Sequence, residues 1–370
     1  MRILIYCAHP AQYHFFKNIV KRLTANGHQI KLLIKSKDIL ETLVREEGLE
    51  YENILPEPRG DSSFSTILSM FRRDYRMLKV VRKTKPDLLL GSDSSVAHAG
   101  FLTGRKALTF GEDDYPVIKN LAWMMIPFSS RFISPLVWNP GPFRYKKTGY
   151  DGYMKLAYLH PSVFQPDFQK VADLVKKKPY CIIRLARLTA HHDGQVNGLN
   201  EMLVRKIIQH MESKGFSAIL DSEYELPEDL SGYQIDMKKN LMHDLMAFAT
   251  LIVSDSQSMS VEAAIMGVPS VRFNDFSGKI SVLEELEHRY GLTFGIRTSQ
   301  SKLLFSKIDE LLSDPVTREE YNKKRDKLLE EKINVLDFMV WYIGNFPSSQ
   351  QVLKEDNRHT YSFKQKANEF

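Results

Sequence analysis

The chain has 370 residues, 43% hydrophobic and 26% charged, with a formal net charge of +6. That length exceeds the usual single domain and predicts two cores, while no apolar run is long enough for a transmembrane helix. Two cysteines, Cys7 and Cys181, both in predicted strands, exclude a disulfide framework or zinc site, and with no secretory leader at the start they predict a cytoplasmic protein.

Residues 1–7 (MRILIYC) predict a buried strand, 15–24 a helix ending at Asn26 and Gly27, and 29–34 a second strand. This βαβ opening favours a parallel sheet. Residues 8–14 (AHPAQYH) stand where dinucleotide enzymes carry a glycine-rich loop, so nothing supports NAD or FAD. His9 or His14 would face the space above the first strand, as a general base or as a cap. A helix over 37–48, a short strand over 51–55 and a breaker-rich loop over 56–63 follow.

A long basic helix over 65–85 leads into the strand 87–91, and Ser92, Asp93, Ser94 and Ser95 open another helix, where Asp93 acts in the cleft or caps. Residues 107–110 predict a strand ending in Gly111, Glu112, Asp113 and Asp114, a run of acids suited to solvation, to a cation or to acid–base work, with the spacing of no defined metal motif. Residues 121–128 (LAWMMIPF) read as core or, beside the basic residues of 72–85 and 144–147, as a lipid-facing surface. No nucleic-acid module accompanies these basic patches.

Residues 161–166 resemble a linker, after which a second βα series begins with a strand over 180–185. Its loop carries Arg184, Arg187, His191, His192 and Asp193, better suited to a phosphate than to a metal. A helix over 199–214 and a strand over 217–220 lead to residues 251–273. There an inner strand, LIVS, is followed by a turn of Asp255, Ser256, Gln257 and Ser258, then a helix from Ser260 stopped by Gly267, and another strand. Such a turn lies where open α/β sheets bind ligands, and its helix start suits a diphosphate; an ordinary capped connection accounts for the same residues. Glu262 is placed to accept from ribose hydroxyls. Asn274 and Asp275 open a polar loop, helices run through 283–287, 302–312 and 315–332, and the apolar helix 334–346 has no strand left to serve. From Ser348 onward the chain reads as polar and frayed.

Two βα units, a linker and a returning helix resemble the GT-B architecture of nucleotide-sugar enzymes. Residues 255–269 (DSQSMSVEAAIMGVP) resemble the donor-binding segment of bacterial UDP-N-acetylglucosamine transferases and of non-hydrolysing UDP-N-acetylglucosamine 2-epimerases. Residues 184–193 (RLARLTAHHD), 222–223 (SE), 226–228 (LPE), 274–276 (NDF) and 283–287 (LEELE) are similar to an uncharacterised bacterial and archaeal GT-B-like family related to both. The resemblance spans nearly the whole chain. It implies Ser256, Gln257, Ser258 and Met259 around the diphosphate, with Glu262 at the ribose. His14 resembles the cleft histidine of the lipid-linked transferases; Asp93, Glu112 and His191 are loose counterparts of the epimerase acids and histidine. The epimerase His-Arg-Arg-Glu-Asn run is absent, as is the glycine-rich first loop of the transferases.

The expectation is therefore an α/β, GT-B-like fold with two Rossmann-like domains facing across a cleft and a C-terminal helix crossing back. Residues 1–164 would form an acceptor and catalytic domain, 165–333 the nucleotide-sugar domain, 334–347 the returning helix and 348–370 a tail. The catalytic candidates are His14, Asp93 and Glu112; the nucleotide-sugar candidates are Arg184, Arg187, His191, Ser256, Gln257, Ser258, Met259, Glu262, Asn274 and Asp275. The function implied is metal-independent glycosyl transfer in surface polysaccharide or glycolipid synthesis. A UDP-sugar is the substrate rather than a cofactor, and the acceptor is a saccharide or lipid-linked. The protein would be cytoplasmic, with peripheral contact at the inner membrane face. A UDP-N-acetylglucosamine 2-epimerase-like isomerase and a non-catalytic sugar-nucleotide binder are the alternatives.

Overall fold

A computed structural model describes residues 1–36, 39–56, 63–175, 179–186, 197–313 and 317–364. The chain divides into two compact units, one of Met1–Tyr158 with the described residues from Lys332 onward, the other of Leu159–Glu331.

In the first unit, the described residues form seven parallel strands: β1 (Arg2–Cys7), β2 (Gln29–Lys35), β3 (Glu52–Leu55), β4 (Leu88–Gly91), β5 (Lys106–Phe110), β6 (Arg131–Pro135) and β7 (Lys147–Tyr150). Their order is β3-β2-β1-β4-β5-β6-β7, so the chain winds outward in both directions from β1 and β4, as in dinucleotide-type folds. β1 is buried on both faces, and Leu4, Leu33 and Leu89 share one core with Met77 and Val81 from the helix Ser63–Thr84. That is why MRILIYC is nearly continuous in apolar residues instead of alternating. At the end of β4, a Cβ on Gly91 would sit 2.9 Å from the Tyr6 carbonyl oxygen, so only glycine lets the two central strands approach there.

In the second unit, the described strands are β8 (Tyr180–Leu185), β9 (Ser217–Ser222), β10 (Leu251–Ser254), β11 (Ser270–Phe273) and β12 (Thr293–Ile296). All pair in parallel, in the order β12-β11-β10-β8-β9. Read by chain position this is 2-1-3-4-5, the flavodoxin-type winding, whose reversal falls between β8 and β10.

The helix Val335–Gly344 belongs to the first unit and packs on the helix Pro10–Ala25, with Arg22 and Asp337 paired at 2.6 Å. Asn334 caps it by accepting from the Asp337 N–H at 3.2 Å, and Lys332, itself buried, reaches Asp151 at 2.9 Å. Beyond Ser348 the structure departs from the frayed tail the polar composition predicts. Ser348–Glu355 is helical, and Phe363 and His359 pack on Trp341 at ring separations of 5.3 and 4.7 Å. The aromatic positions spread through an otherwise polar segment supply the anchor that composition hid. Among the described residues no helix is long and apolar enough to cross a membrane.

Candidate functional site

Because the chain leaves β8 and β10 in opposite directions, a crevice must open beyond their carboxyl ends. A cavity of about 850 Å³ lies there, within the second unit, and its lining includes Ala186, Asn200, Leu203, Tyr224, Asp255 and Thr298. The volume suits a ligand of small-molecule to nucleotide size.

Asp255 ties the cavity together. It follows β10 directly, is 2% exposed, and its Oδ1 accepts from the Ala186 N–H at 2.7 Å. Burial pushes its carboxyl up to about 7, against the opposing pull of the Ala186 and Leu199 amides and the Arg184 charge. Its own carbonyl oxygen accepts from Asn274 Nδ2 at 2.9 Å. The loops after β8, β10 and β11 are thereby joined through one residue.

Ser256 has extended backbone (φ −82°, ψ 127°) and its hydroxyl accepts from the Met259 N–H at 3.4 Å, so the helix starts at Gln257 and runs to Ile265. This is three residues earlier than the polar turn in the sequence implies. Gln257 and Ser258 read as turn residues because they precede the apolar run, yet a Ser N-cap with helix formers behind it is sufficient to nucleate there. Gln257, Ser258 and Met259 therefore form the first turn, whose amide groups lack intrahelical acceptors, and no acidic residue in that turn offsets the positive helix end. An anion is the natural complement.

Asn274 is fully buried; its Oδ1 accepts from the Phe276 N–H at 3.0 Å. Asp275 accepts from Thr298 Oγ1 at 2.6 Å and from the Asn197 N–H at 3.4 Å, and its carboxyl is held below the ordinary range first of all by that Thr298 hydroxyl. Both stitch loops around the cavity. Glu262 lies one turn deeper in the helix, buried, with Oε1 3.4 Å from His243 Nε2. Arg184, at the end of β8, donates to Asp221 at 2.5 Å and to Glu223, so two carboxylates already balance its charge. Arg187 and His191 lie outside the described residues.

The first-unit candidates sit at the carboxyl edge of the other sheet and are engaged there. Asp93 caps the helix Ser94–Thr103, accepting from the Ser95 N–H at 2.9 Å and Oγ at 2.6 Å, and pairs with Arg73 at 2.9 Å. Burial alone would raise its carboxyl, but Arg73 and the Ser95 donors outweigh this and hold it below the usual range. Glu112 accepts from the Met154 N–H and from Lys155 Nζ at 2.5 Å, pinning the segment after β7. His14 is on the helix Pro10–Ala25 and not in the preceding loop, its ring stacked on Tyr158 at 5.4 Å. His9 is that helix's N-cap, with Nδ1 accepting from the Ala11 N–H at 3.2 Å.

The structure thus gathers Asp255, Ser256, Gln257, Ser258, Met259, Asn274 and Asp275 at one edge. Sequence reasoning missed Asn200, Tyr224 and Thr298. Asn200 carried a legible signal, an N-cap before the amphipathic helix Glu201–Ser213, where it accepts from the Leu203 N–H at 2.9 Å. Tyr224 and Thr298 carried none, since each reaches the cavity only through the sheet order. Among the described residues, no cluster of three or more His, Cys, Asp or Glu could hold a metal ion.

By sequence, no family model and no curated protein matches the chain. By structure it is similar to the UDP-GlcNAc 2-epimerase from Neisseria meningitidis bound to UDP-GlcNAc, with a TM-score of 0.67, 13% identity, and 87% of this chain and 94% of that chain covered. It is similar also to the Methanocaldococcus jannaschii UDP-GlcNAc 2-epimerase in complex with UDP-GlcNAc and UDP, at a TM-score of 0.59 and 14% identity over 85% and 93% of the two chains. The calicheamicin glycosyltransferase CalG4 matches at a TM-score of 0.57 and 15% identity, covering 94% and 99%. At these identities the likeness is one of fold: an α/β, GT-B-like chain of two Rossmann-like units. Two of these neighbours are UDP-GlcNAc 2-epimerases and one is a glycosyltransferase.

Proposed function

We propose that the protein binds a UDP-sugar at the carboxyl ends of β8 and β10 and transfers the sugar to a saccharide or lipid-linked acceptor in surface polysaccharide or glycolipid synthesis. The observation that carries this reading is the cavity of about 850 Å³ at the β8/β10 reversal, lined by Asp255, the residue that precedes the N-cap of a helix with no acidic residue in its first turn. In this reading the diphosphate meets the Gln257 and Ser258 amides at the helix start and the nucleoside occupies the cavity. As the glycosidic bond to the diphosphate breaks, negative charge grows on the leaving oxygen, and amide donors aimed at it lower the barrier without a metal. His14 is the proposed base for the acceptor hydroxyl.

Transfer is favoured over epimerisation because Asp93 and Glu112, the acids epimerisation would call on, are committed to Arg73 and Ser95 and to Met154 and Lys155. The test is incubation with UDP-, GDP- and CMP-sugars, with and without acceptor extracts, followed by NMR of the sugar and mass analysis of products. Sugar consumed only when acceptor is present supports transfer. A change of sugar configuration without acceptor would overturn it in favour of epimerisation, and binding with no turnover in any mixture would leave a sugar-nucleotide binder.

A further inference from the structure

The exposed large apolar side chains are not scattered evenly. Leu68, Phe71 and Tyr75 follow one another at helical spacing on a single face of the helix Ser63–Thr84, with Phe71 and Tyr75 71% and 69% exposed. The opposite face buries Met77 and Val81. Phe101, Trp123 and Phe128, also exposed, stand on the helices Ser94–Thr103, Lys119–Met125 and Ile126–Phe128. These elements are locked side by side. His98 Nδ1 bonds Asp74 at 2.7 Å, its Nε2 bonds the Met124 carbonyl oxygen at 2.7 Å, and the Phe101 and Phe128 rings meet edge to face at 5.4 Å.

The same region is basic. Residues 63–147 hold 14 Lys and Arg against 6 Asp and Glu, an excess of eight, where the whole chain carries +6. Of those acids Asp93, Glu112 and Asp114 are buried, Asp74 faces His98, and Asp87 accepts from the Arg2 N–H. On the aromatic helix itself, Arg72, Lys79, Arg82 and Lys83 are exposed and continue the apolar row.

We propose that this face of the first unit docks on an anionic lipid bilayer. Aromatic and aliphatic side chains would enter the headgroup and acyl boundary while the flanking Lys and Arg meet lipid phosphates. Charge selects this occupant. A second copy would set one basic face against another, and a nucleic acid has no use for exposed Leu68, Leu102 and Met124. The attachment is peripheral, and it stands on this surface without the transferase reading.

Vesicle flotation of the full chain tests it. The protein should float with vesicles of phosphatidylcholine and phosphatidylglycerol, and about tenfold less with phosphatidylcholine alone or at high salt. A Phe71→Ser/Tyr75→Ser/Phe101→Ser variant and an Arg72→Glu/Lys79→Glu variant should each lose flotation about tenfold while keeping the wild-type melting temperature. Should either variant melt lower, Leu68→Ser and Lys79→Glu alone, both at exposed positions, must still reduce flotation. The proposal is overturned if the wild type fails to float, if it floats equally with neutral vesicles, or if the folded variants float like wild type. It is equally overturned by a lipid-free dimer that the aromatic substitutions abolish in a chain that does not float.

Discussion

Asp255 shows how burial outweighs hydrogen bonds and a nearby cation in setting the charge of a cavity-lining carboxyl. With its carboxyl pushed up to about 7 by desolvation, the folded chain keeps a proton that the unfolded chain releases near the ordinary value of 3.8. Across that window folding stability therefore falls as pH rises, and the penalty is constant above it, at up to about 4 kcal/mol from the size of the shift. A neutral Asp255 tolerates a diphosphate next to it; an ionised one repels it. Binding of a UDP-sugar should accordingly weaken as pH climbs through about 7, and Asp255→Asn should flatten both dependences, as calorimetry and thermal melts across pH 5 to pH 9 would show. An unaltered pH slope in the variant would assign the titration to another group. Nothing in the sequence announces this shift, because it comes from burial of the carboxyl in the folded chain, with the Ala186 amide pulling the other way.

At the scale of elements, the helix Gln257–Ile265 begins where Ser256 caps it and not where the apolar run begins. Ser256→Ala should cost about 0.5–1 kcal/mol in a denaturant melt, at the low end for a cap because its bond to the Met259 N–H is long at 3.4 Å. The inner strands were legible because β1, β8 and β10 are short apolar runs with turn residues at their ends. The strands β6, β7 and β12 were not: RFISP carries a terminal proline, and KTGY and TFGI each place a glycine among few apolar residues. Their pairing with β5, β6 and β11 makes them strands, a tertiary cause that local propensity does not encode. In the same way Arg184 reads as a free cation in the sequence, but strand register places Asp221 directly across from it.

For the whole molecule, the alternation of strand and helix and a late apolar helix without a strand were enough to read two α/β units and a C-terminal return. The candidate site was legible only along residues 251–275, where strand, cap and helix follow in sequence. The cavity wall was not, since it comes from loops that are neighbours only through the order β12-β11-β10-β8-β9. In the proposed function a nucleoside diphosphate meets the helix start after β10. Calorimetric titration of UDP and of uridine into the wild type and into Ser258→Asp tests it most directly. Asp in the first helical turn favours the helix itself, so the fold is spared while a negative charge is set against the diphosphate. The variant should bind UDP at least about tenfold more weakly, with an undiminished melting temperature and unchanged uridine affinity. UDP binding as tight in Ser258→Asp as in the wild type would contradict it.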